Sequence, residues 1–248
     1  MTTIESPHNP RLKALRKLAT RRERTRTGRF AAEGEDLLAA AEQAGRPALE
    51  GYRLAGTGLG GEDFLDVERS ALGSVSTLGS STRVIGVFEQ RWGPARGPLC
   101  VYLHGVSDPG NVGTVLRSAH AFGADCVALG PGCADPHGPK AVRASMGAIF
   151  AVELARVSAL DQLPGELVGL DASAADALRG PLAPGAGALT LLIGAERAGL
   201  PDDVLRACDR VARIPIATES LNAAMAATVA LYEMTRRGER DNDTVPAS

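Results

Sequence analysis

Residues 214–237 read IPIATESLNAAMAATVALYEMTRR, and this segment decides how the rest of the chain is interpreted. An apolar run over residues 211–216 predicts a short strand, which Pro215 ends or places at a sheet edge because proline has no amide to donate. A polar turn follows at residues 218–220, and an alanine-rich helix follows the turn. The segment therefore predicts a strand, a turn and a long helix in immediate succession.

Large apolar side chains recur in the helical part of this segment at intervals of three or four, namely Leu221, Met225, Val229 and Tyr232. This spacing predicts one buried helical face. Ser220 stands where an N-cap is expected, with Asn222 in the first turn. A turn that opens a helix offers free backbone amides and carbonyls at one point, which suits a small polar ligand. Taken alone, the segment fits an ordinary capped and buried helix better.

Strands and helices alternate after residue 98, and this alternation predicts an α/β domain with a mostly parallel sheet. The predicted strands are 99–105, 126–130, 150–157, 166–170, 189–194 and 211–216, and the predicted helices are 112–122, 140–147, a short one near 160, 201–208 and the final helix. Polar loops follow three of the strands, at residues 107–111, 195–199 and 217–220. Ligands on such sheets bind beyond the carboxyl ends of the strands.

The first part of the chain has a different composition and predicts a smaller α/β domain. A basic amphipathic helix is expected up to residue 30, with strands at 30–34, 49–54 and 84–88 and a helix at 35–44. A stretch rich in glycine and proline then reads as a linker. We predict an N-terminal domain at 1–92, a linker at 93–98, a second domain at 99–237 and a disordered tail at 238–248.

Positive charge is concentrated near the N-terminus although the whole chain has a net charge of −2. Between Arg11 and Arg29 there are nine basic residues and one acid, Glu23. Leu12, Leu15 and Leu18 interleave with these charges as a core-facing stripe. A folded helix that points its cations outward is a typical footprint for binding a phosphate backbone.

Composition narrows the class of protein. The chain has 248 residues, of which 44% are hydrophobic and 23% charged, as expected for a globular protein with a full core. No apolar run is long enough for a membrane span, and the N-terminus lacks the apolar core of a signal peptide. Four scattered cysteines without a paired spacing fit free thiols in the cytoplasm and predict no metal site.

Taken together and in order, the three polar loops resemble the motifs of the SpoU (TrmH-like) branch of the SPOUT RNA methyltransferases. The motifs are DPGNVGTVLRSAHAFGAD at 108–125, LLIGAERAGLPDD at 191–203 and IPIATESLNAAMAATVALYE at 214–233, with PKAVRASMGAIF at 139–150 between the first two. The pieces SPHNPRLKALRKL and FAAEGEDLL, at 6–18 and 30–38, resemble the ribosomal-protein-like RNA-binding domain that often precedes this catalytic domain.

The resemblance implies transfer of a methyl group from S-adenosylmethionine to a ribose 2′-hydroxyl of RNA, with rRNA favoured over tRNA. It also implies a deep trefoil knot in the C-terminal domain and a homodimer formed through that domain. The cofactor in this family lies in the knot and is held largely by backbone groups. The matching cofactor-binding positions are Gly194, Ala195, Glu196, Ile214, Ile216, Ser220 and Leu221.

The resemblance assigns the chemistry to Asn111, Arg117, Glu196, Ser220 and Asn222. The family's usual proposal makes the arginine at position 117 the general base. A guanidinium is effectively always protonated, so the alternative is that Arg117 grips a phosphate and stabilises the developing alkoxide. The cations expected to contact RNA are Arg11, Lys13, Arg21, Arg22, Arg24, Lys140 and Arg143.

Two other functions remain open at this level. The chain could be a non-catalytic RNA-binding or ribosome-assembly factor that keeps the fold, or a SPOUT enzyme that methylates a base. The intact set of motif residues favours the ribose methyltransferase over the first alternative.

Overall fold

The computed structural model describes residues 3–77, 82–180, 187–218 and 220–236. The predicted disordered tail at 238–248 and Glu219 of the predicted turn lie outside these residues. In chain order the elements are α1 (Pro10–Lys17), α2 (Arg21–Thr27), β1 (Arg29–Glu33), α3 (Glu35–Gln43), β2 (Glu50–Leu54), β3 (Leu65–Val67), α4 (Arg69–Gly73), β4 (Val84–Glu89), β5 (Leu99–Leu103), α5 (Pro109–Ala121), β6 (Cys126–Leu129), α6 (Pro139–Ala144), α7 (Ala148–Ala151), β7 (Glu153–Arg156), a 3₁₀ turn (Leu160–Gln162), β8 (Glu166–Leu170), β9 (Leu189–Ile193), α8 (Asp202–Arg206), β10 (Arg210–Ala212) and α9 (Ala223–Thr235).

The chain forms two compact units that alternate along the sequence. The first comprises Met1–Arg91, Asp108–Arg117 and Ala134–Ala151, and the second comprises Trp92–Ser107, Ser118–Cys133 and Val152–Ser248. Each unit has its own sheet. Among the described helices, none is both long and apolar enough to cross a bilayer.

The first unit is organised around a four-stranded sheet with the order β1-β4-β2-β3, antiparallel except for the β2–β3 pair. Leu12 and Leu15 of α1 pack with Ala71 and Leu72 of α4 in one buried apolar cluster. A second cluster joins the rings of Phe30 and Phe88 to Phe150 of α7, with centroids 4.7 to 5.9 Å apart.

The predicted single basic helix is two helices in the structure. Thr20 has an extended backbone and accepts a hydrogen bond from the Glu23 amide (3.4 Å), so it caps α2 and separates it from α1. Gly28 ends α2 in the left-handed conformation, at φ 65°. The short elements β3 and α4 are absent from the sequence-based prediction, since three- and five-residue elements carry little periodicity.

The second unit is built on six parallel strands in the order β10-β8-β9-β5-β6-β7, which confirms the predicted parallel sheet. Strands β5, β6 and β9 are buried at every position, as their leucine- and valine-rich runs require. The start of the linker pairs with the edge strand β7, because the Gly93 amide donates to the Leu154 carbonyl (2.8 Å). Next to it, the Arg156 guanidinium lies 3.9 Å from the centroid of the Trp92 ring.

Two predicted strands are wrong in part. Residues 150 and 151 belong to α7, and strand β7 begins only at Glu153. The strand predicted over 211–216 ends at Ala212, and the segment beyond it leaves the sheet. Arg213 still forms an isolated parallel bridge with Ala177, and beyond it Pro215 has no amide with which to continue the ladder.

Candidate functional site

A cavity of about 570 Å³ lies in the second unit, beyond the carboxyl ends of β8 and β9. Its walls are the loop that follows each of these strands and the segment that joins β10 to α9. All seven cofactor-binding positions named by the sequence line it: Gly194, Ala195, Glu196, Ile214, Ile216, Ser220 and Leu221. The volume and the position at the strand ends suit a nucleoside-sized ligand.

The loop after β9 is a closed turn whose geometry requires glycine at its start. The Ala195 amide donates to the Gly199 carbonyl (3.2 Å), and the Gly199 amide donates to the Ala195 carbonyl (2.8 Å). A Cβ at position 194 would collide with the backbone of Gly199 and Leu200. Gly194 is thus needed for packing within the loop itself, a constraint that comes before any close approach of a ligand.

The segment from Ile214 to Leu221 brings unpaired backbone groups to the cavity. Within the described part of the chain, residues 214–218, 220 and 221 form no backbone hydrogen bond with another protein group. Most of these residues are exposed, so their backbone donors and acceptors are open to a polar ligand that enters the cavity beside them. Ile214 and Ile216 add apolar surface to the same wall.

The helix cap differs from the one predicted by the sequence. Asn222, rather than Ser220, is the N-cap of α9, and its side-chain oxygen accepts from the Met225 amide at 2.7 Å. The capping bond occupies that oxygen, and Asn222 is not among the residues that line the cavity. Ser220 is exposed and lines the cavity, so the hydroxyl is available to a ligand.

The face of α9 predicted to be buried is exposed. Met225, Val229 and Tyr232 have exposed fractions of 53%, 40% and 56%. The residues that α9 buries are mainly small: Ala223, Ala224, Ala227, Ala230, Leu231 and Met234. The small side chains let the helix approach the sheet closely, and Met225, Val229 and Tyr232 lie on the outward face. The Tyr232 ring meets the Phe122 ring edge-on, with centroids 6.2 Å apart.

Sequence analysis missed one wall of the cavity. Leu170, the last residue of β8, lines it together with Asp171 and Ser173 of the loop that follows. The Asp171 amide donates to the Ala212 carbonyl (3.1 Å), and its carboxylate accepts from the Ser173 amide (2.8 Å). The available signal was a polar loop after a predicted strand, the feature that identified the other three loops. Arg197, Ala223 and Ala226 also line the cavity without having been predicted.

Asn111 and Arg117 lie on α5, in the part of that helix that belongs to the first unit. The Asn111 amide donates to the Asp108 carboxylate (3.0 Å), and Lys140 Nζ lies 2.7 Å from the other oxygen of that carboxylate. Hydrogen bonds from Lys140 and from the Asn111 amide lower the pKa of Asp108. Arg117 is exposed, and no hydrogen bond or ion pair engages its guanidinium within the described residues.

Most of the cations predicted to bind RNA are exposed in the first unit, namely Arg11, Lys13, Arg21, Arg22 and Arg143. Lys140 is exposed too, although it pairs with Asp108. The prediction for Arg24 is wrong, because this side chain is only 4% exposed and its guanidinium is bound by Asp135 and by backbone carbonyls. Arg24 is therefore closed to an RNA phosphate.

Two protein-family models match this chain, one over each of its two main regions. The model of the SpoU rRNA methylase family matches residues 98–232, and the model of an MRM3-like substrate-binding domain matches residues 9–86. The 23S rRNA (guanosine(2553)-2′-O)-methyltransferase RlmP of Bacillus subtilis is 30% identical over 250 residues, which is 94% of this chain and 99% of RlmP.

Two solved structures share the fold over nearly the whole chain. The AdoMet-bound rRNA methyltransferase from Sinorhizobium meliloti has a TM-score of 0.80 at 31% identity and covers 94% of this chain and 96% of its own. The SpoU methyltransferase AviRb from Streptomyces viridochromogenes, in complex with the cofactor AdoMet, has a TM-score of 0.81 at 27% identity and covers 95% and 99%. The chain belongs to the SpoU rRNA methylase family.

Proposed function

We propose that this protein transfers a methyl group from S-adenosylmethionine to a ribose 2′-hydroxyl of ribosomal RNA. The observation that carries the proposal is the cavity at the strand ends, where a run of unpaired backbone groups faces the closed turn that begins at Gly194. The name of RlmP, which matches over almost all of both chains, favours rRNA over tRNA.

The cavity residues fit the cofactor by charge and by polarity. Among the described residues of the cavity wall the charged side chains are Asp171, Glu196 and Arg197, so the described part of the wall carries one net negative charge, which suits a cationic sulfonium nucleoside. Backbone groups of Ile214, Ile216, Ser220 and Leu221 would hold its polar atoms, and the side chains of Ile214 and Ile216 would pack against its apolar surface. When bound, S-adenosylmethionine would supply an electrophilic methyl group for transfer to the ribose oxygen.

Side chains of the protein have to align the ribose hydroxyl with the methyl group and to assist the loss of its proton. Arg117 remains a cation at neutral pH, and we assign it to the phosphate next to the reacting ribose and to the charge that develops on the 2′-oxygen. From the motifs to which they belong, we assign Asn111 and Glu196 to orienting the ribose, and the exposed Ser220 hydroxyl to relaying the proton of the 2′-hydroxyl to solvent. Asn222 keeps a role in folding, since its side chain caps α9.

The reaction is tested by incubating the purified protein and S-adenosylmethionine with rRNA, and then analysing the nucleosides by mass spectrometry. A 2′-O-methylated nucleoside is the expected product. A base-methylated nucleoside would instead identify a SPOUT enzyme of another specificity. Failure of the protein to bind S-adenosylmethionine in calorimetry would identify a non-catalytic RNA-binding factor.

We also propose the knotted C-terminal domain of this family, with domain limits at 1–92 and 99–237, and a cytoplasmic location. The four cysteines are free thiols in the structure, which suits a reducing compartment. A homodimer completes the proposal. The exposed apolar stripe of α9, formed by Met225, Val229 and Tyr232, is the surface we assign to the dimer contact.

Replacing Val229 by glutamate should convert the dimer to a monomer, because a carboxylate in the middle of an apolar contact has to be desolvated without a partner. Val229 is 40% exposed in the isolated chain, so the substitution should leave the fold intact. Sedimentation velocity measures the change. The matched control is Leu49→Glu, which alters a residue with an exposed fraction of 52% in the first unit. A Val229→Glu protein that remains dimeric would move the contact away from α9.

Replacing Arg21 and Arg22 together by alanine should weaken RNA binding and reduce its dependence on salt. Each lost phosphate contact removes about 0.7 to 0.9 from the slope of log K against log salt concentration. Binding is measured by fluorescence anisotropy at several salt concentrations. The affinity for S-adenosylmethionine should not change. An unaltered salt slope would show that RNA does not contact α2.

A further inference from the structure

One arginine in the basic α2 helix points inward. Arg21, Arg22 and Arg26 are exposed, whereas Arg24 is buried. Its Nη1 donates to the carbonyls of Leu18 and Ala19, each at 2.8 Å. Its Nε and Nη2 both reach Oδ2 of Asp135, at 2.9 and 2.8 Å. Four polar contacts therefore fix the orientation of this guanidinium.

The carboxylate of Asp135 is also fixed by hydrogen bonds. The side chain of Asp135 is 11% exposed, and Oδ1 accepts from the His137 amide at 3.0 Å. Burial alone would raise the pKa of Asp135, but hydrogen bonds from His137 and Arg24 outweigh it and hold that pKa well below the ordinary value. Asp135 is thus a carboxylate that faces a guanidinium. The His137 ring is 2% exposed and packs against Phe30, with centroids 4.8 Å apart.

These contacts join two segments that are far apart in the chain. Arg24 lies in the region matched by the substrate-binding model, and Asp135 lies 111 residues later, in the region matched by the methylase model. Both belong to the first compact unit. Gly138 follows the contact directly and is the N-cap of α6, the helix that carries Lys140 and Arg143.

Stability alone accounts poorly for this arrangement. A buried ion pair loses much of its Coulomb energy to desolvation, and replacing such a pair by apolar residues is often neutral or stabilising. What an apolar pair cannot supply is direction, since a planar guanidinium that donates both to one carboxylate oxygen and to two backbone carbonyls is fixed in distance and in angle. The arrangement is better suited to set the position of α2 than to add stability.

We propose that Arg24, Asp135 and His137 form a clasp that positions α2 against the start of α6, so that the exposed cations of the two helices bind one RNA backbone in a fixed register. Arg24 is a positioning residue and does not contact RNA. This inference rests on the proposed function only in taking RNA as the ligand.

The test compares Arg24→Met with a matched control, Arg53→Met. Arg53 forms a similar pair with Asp66 (2.8 Å, side chains 12% and 24% exposed), but both residues lie within the substrate-binding region. The probe is a fluorescein-labelled RNA hairpin of mixed sequence. Arg24→Met should weaken its binding roughly tenfold, as loss of one or two phosphate contacts would. Arg53→Met should lower the melting temperature by a similar amount while leaving RNA affinity unchanged.

A double variant, Arg24→Met with Asp135→Leu, guards against misfolding because it leaves no uncompensated buried charge. It should recover the melting temperature of the native protein and still bind the hairpin more weakly. Native RNA affinity in this folded double variant would overturn the clasp, and so would equal losses in Arg24→Met and Arg53→Met. Hairpin binding requires no methyl transfer. A native protein that binds RNA but yields no 2′-O-methyl product therefore refutes the proposed function without touching the clasp.

Discussion

Arg117→Ala should lower the rate of methyl transfer to RNA by a factor of about 100 or more, the usual cost of removing one group that stabilises developing charge. The guanidinium is exposed and unpaired within the described residues, so its removal breaks no contact that the fold needs. The melting temperature of Arg117→Ala should therefore equal that of the native protein. The cavity that we assign to S-adenosylmethionine lies in the second unit and includes no part of α5, so cofactor affinity should hold as well.

Single-turnover rates with saturating RNA, together with calorimetric titration of the cofactor, separate these effects. The matched control is His120→Ala, an exposed residue three positions further along α5, which should behave like the native protein. A variant that loses cofactor binding and turnover together would contradict the assigned role. Turnover within threefold of native would show that Arg117 is an ordinary surface residue.

The same variant also decides which protomer Arg117 serves. Arg117→Ala can be mixed and re-associated with a second variant that cannot bind the cofactor. Recovery of activity in the mixed dimer means that Arg117 acts on the ribose at its partner's cavity. If no activity returns, Arg117 serves the cavity of its own chain.

The sheet of the second unit was predictable because buried strands leave a strong local pattern. Strand β5 is a continuous apolar run and β9 is apolar apart from Thr190, and the polar loop after β9 contributes to the cavity, as expected for a parallel sheet. The loop after β8 obeys the same rule, but its sequence resembles none of the three motifs, so the sequence-based prediction does not include Asp171.

The orientation of α9 was not predictable from spacing. Two stripes on this helix are apolar, one of alanines and one of larger side chains, and hydrophobic periodicity assigns the larger stripe to the core. The structure buries Ala227 and Ala230 and exposes Val229 and Tyr232. Which of the two stripes is buried depends on how closely the helix packs against the sheet, and this distance is set by the whole unit. The prediction that Arg24 contacts RNA is wrong for a similar reason. Its partner, Asp135, lies 111 residues away, so nothing in the local sequence indicates that the side chain is buried.

Gly194→Ala should weaken S-adenosylmethionine binding by about tenfold or more, which corresponds to at least 1.4 kcal/mol. The added methyl group would collide with the backbone of Gly199 and Leu200, so the turn from Ala195 to Gly199 has to open or shift. Backbone atoms cannot move aside as a flexible side chain can, and overpacking of this kind typically costs about 1 to 3 kcal/mol. Because the displaced turn is a wall of the cavity, the strain should appear in cofactor affinity as well as in the melting temperature.

Gly187→Ala is the control for this substitution, since a Cβ at position 187 meets nothing within 4 Å and the backbone there is compatible with alanine. Calorimetry should give native cofactor affinity for Gly187→Ala and a clear loss for Gly194→Ala. RNA affinity should be unchanged in both, because the basic helices belong to the other unit. A Gly194→Ala protein with a lowered melting temperature but native cofactor affinity would mean that the cofactor binds elsewhere. The assignment of the cavity would then be wrong, however well its shape and charge suit the ligand.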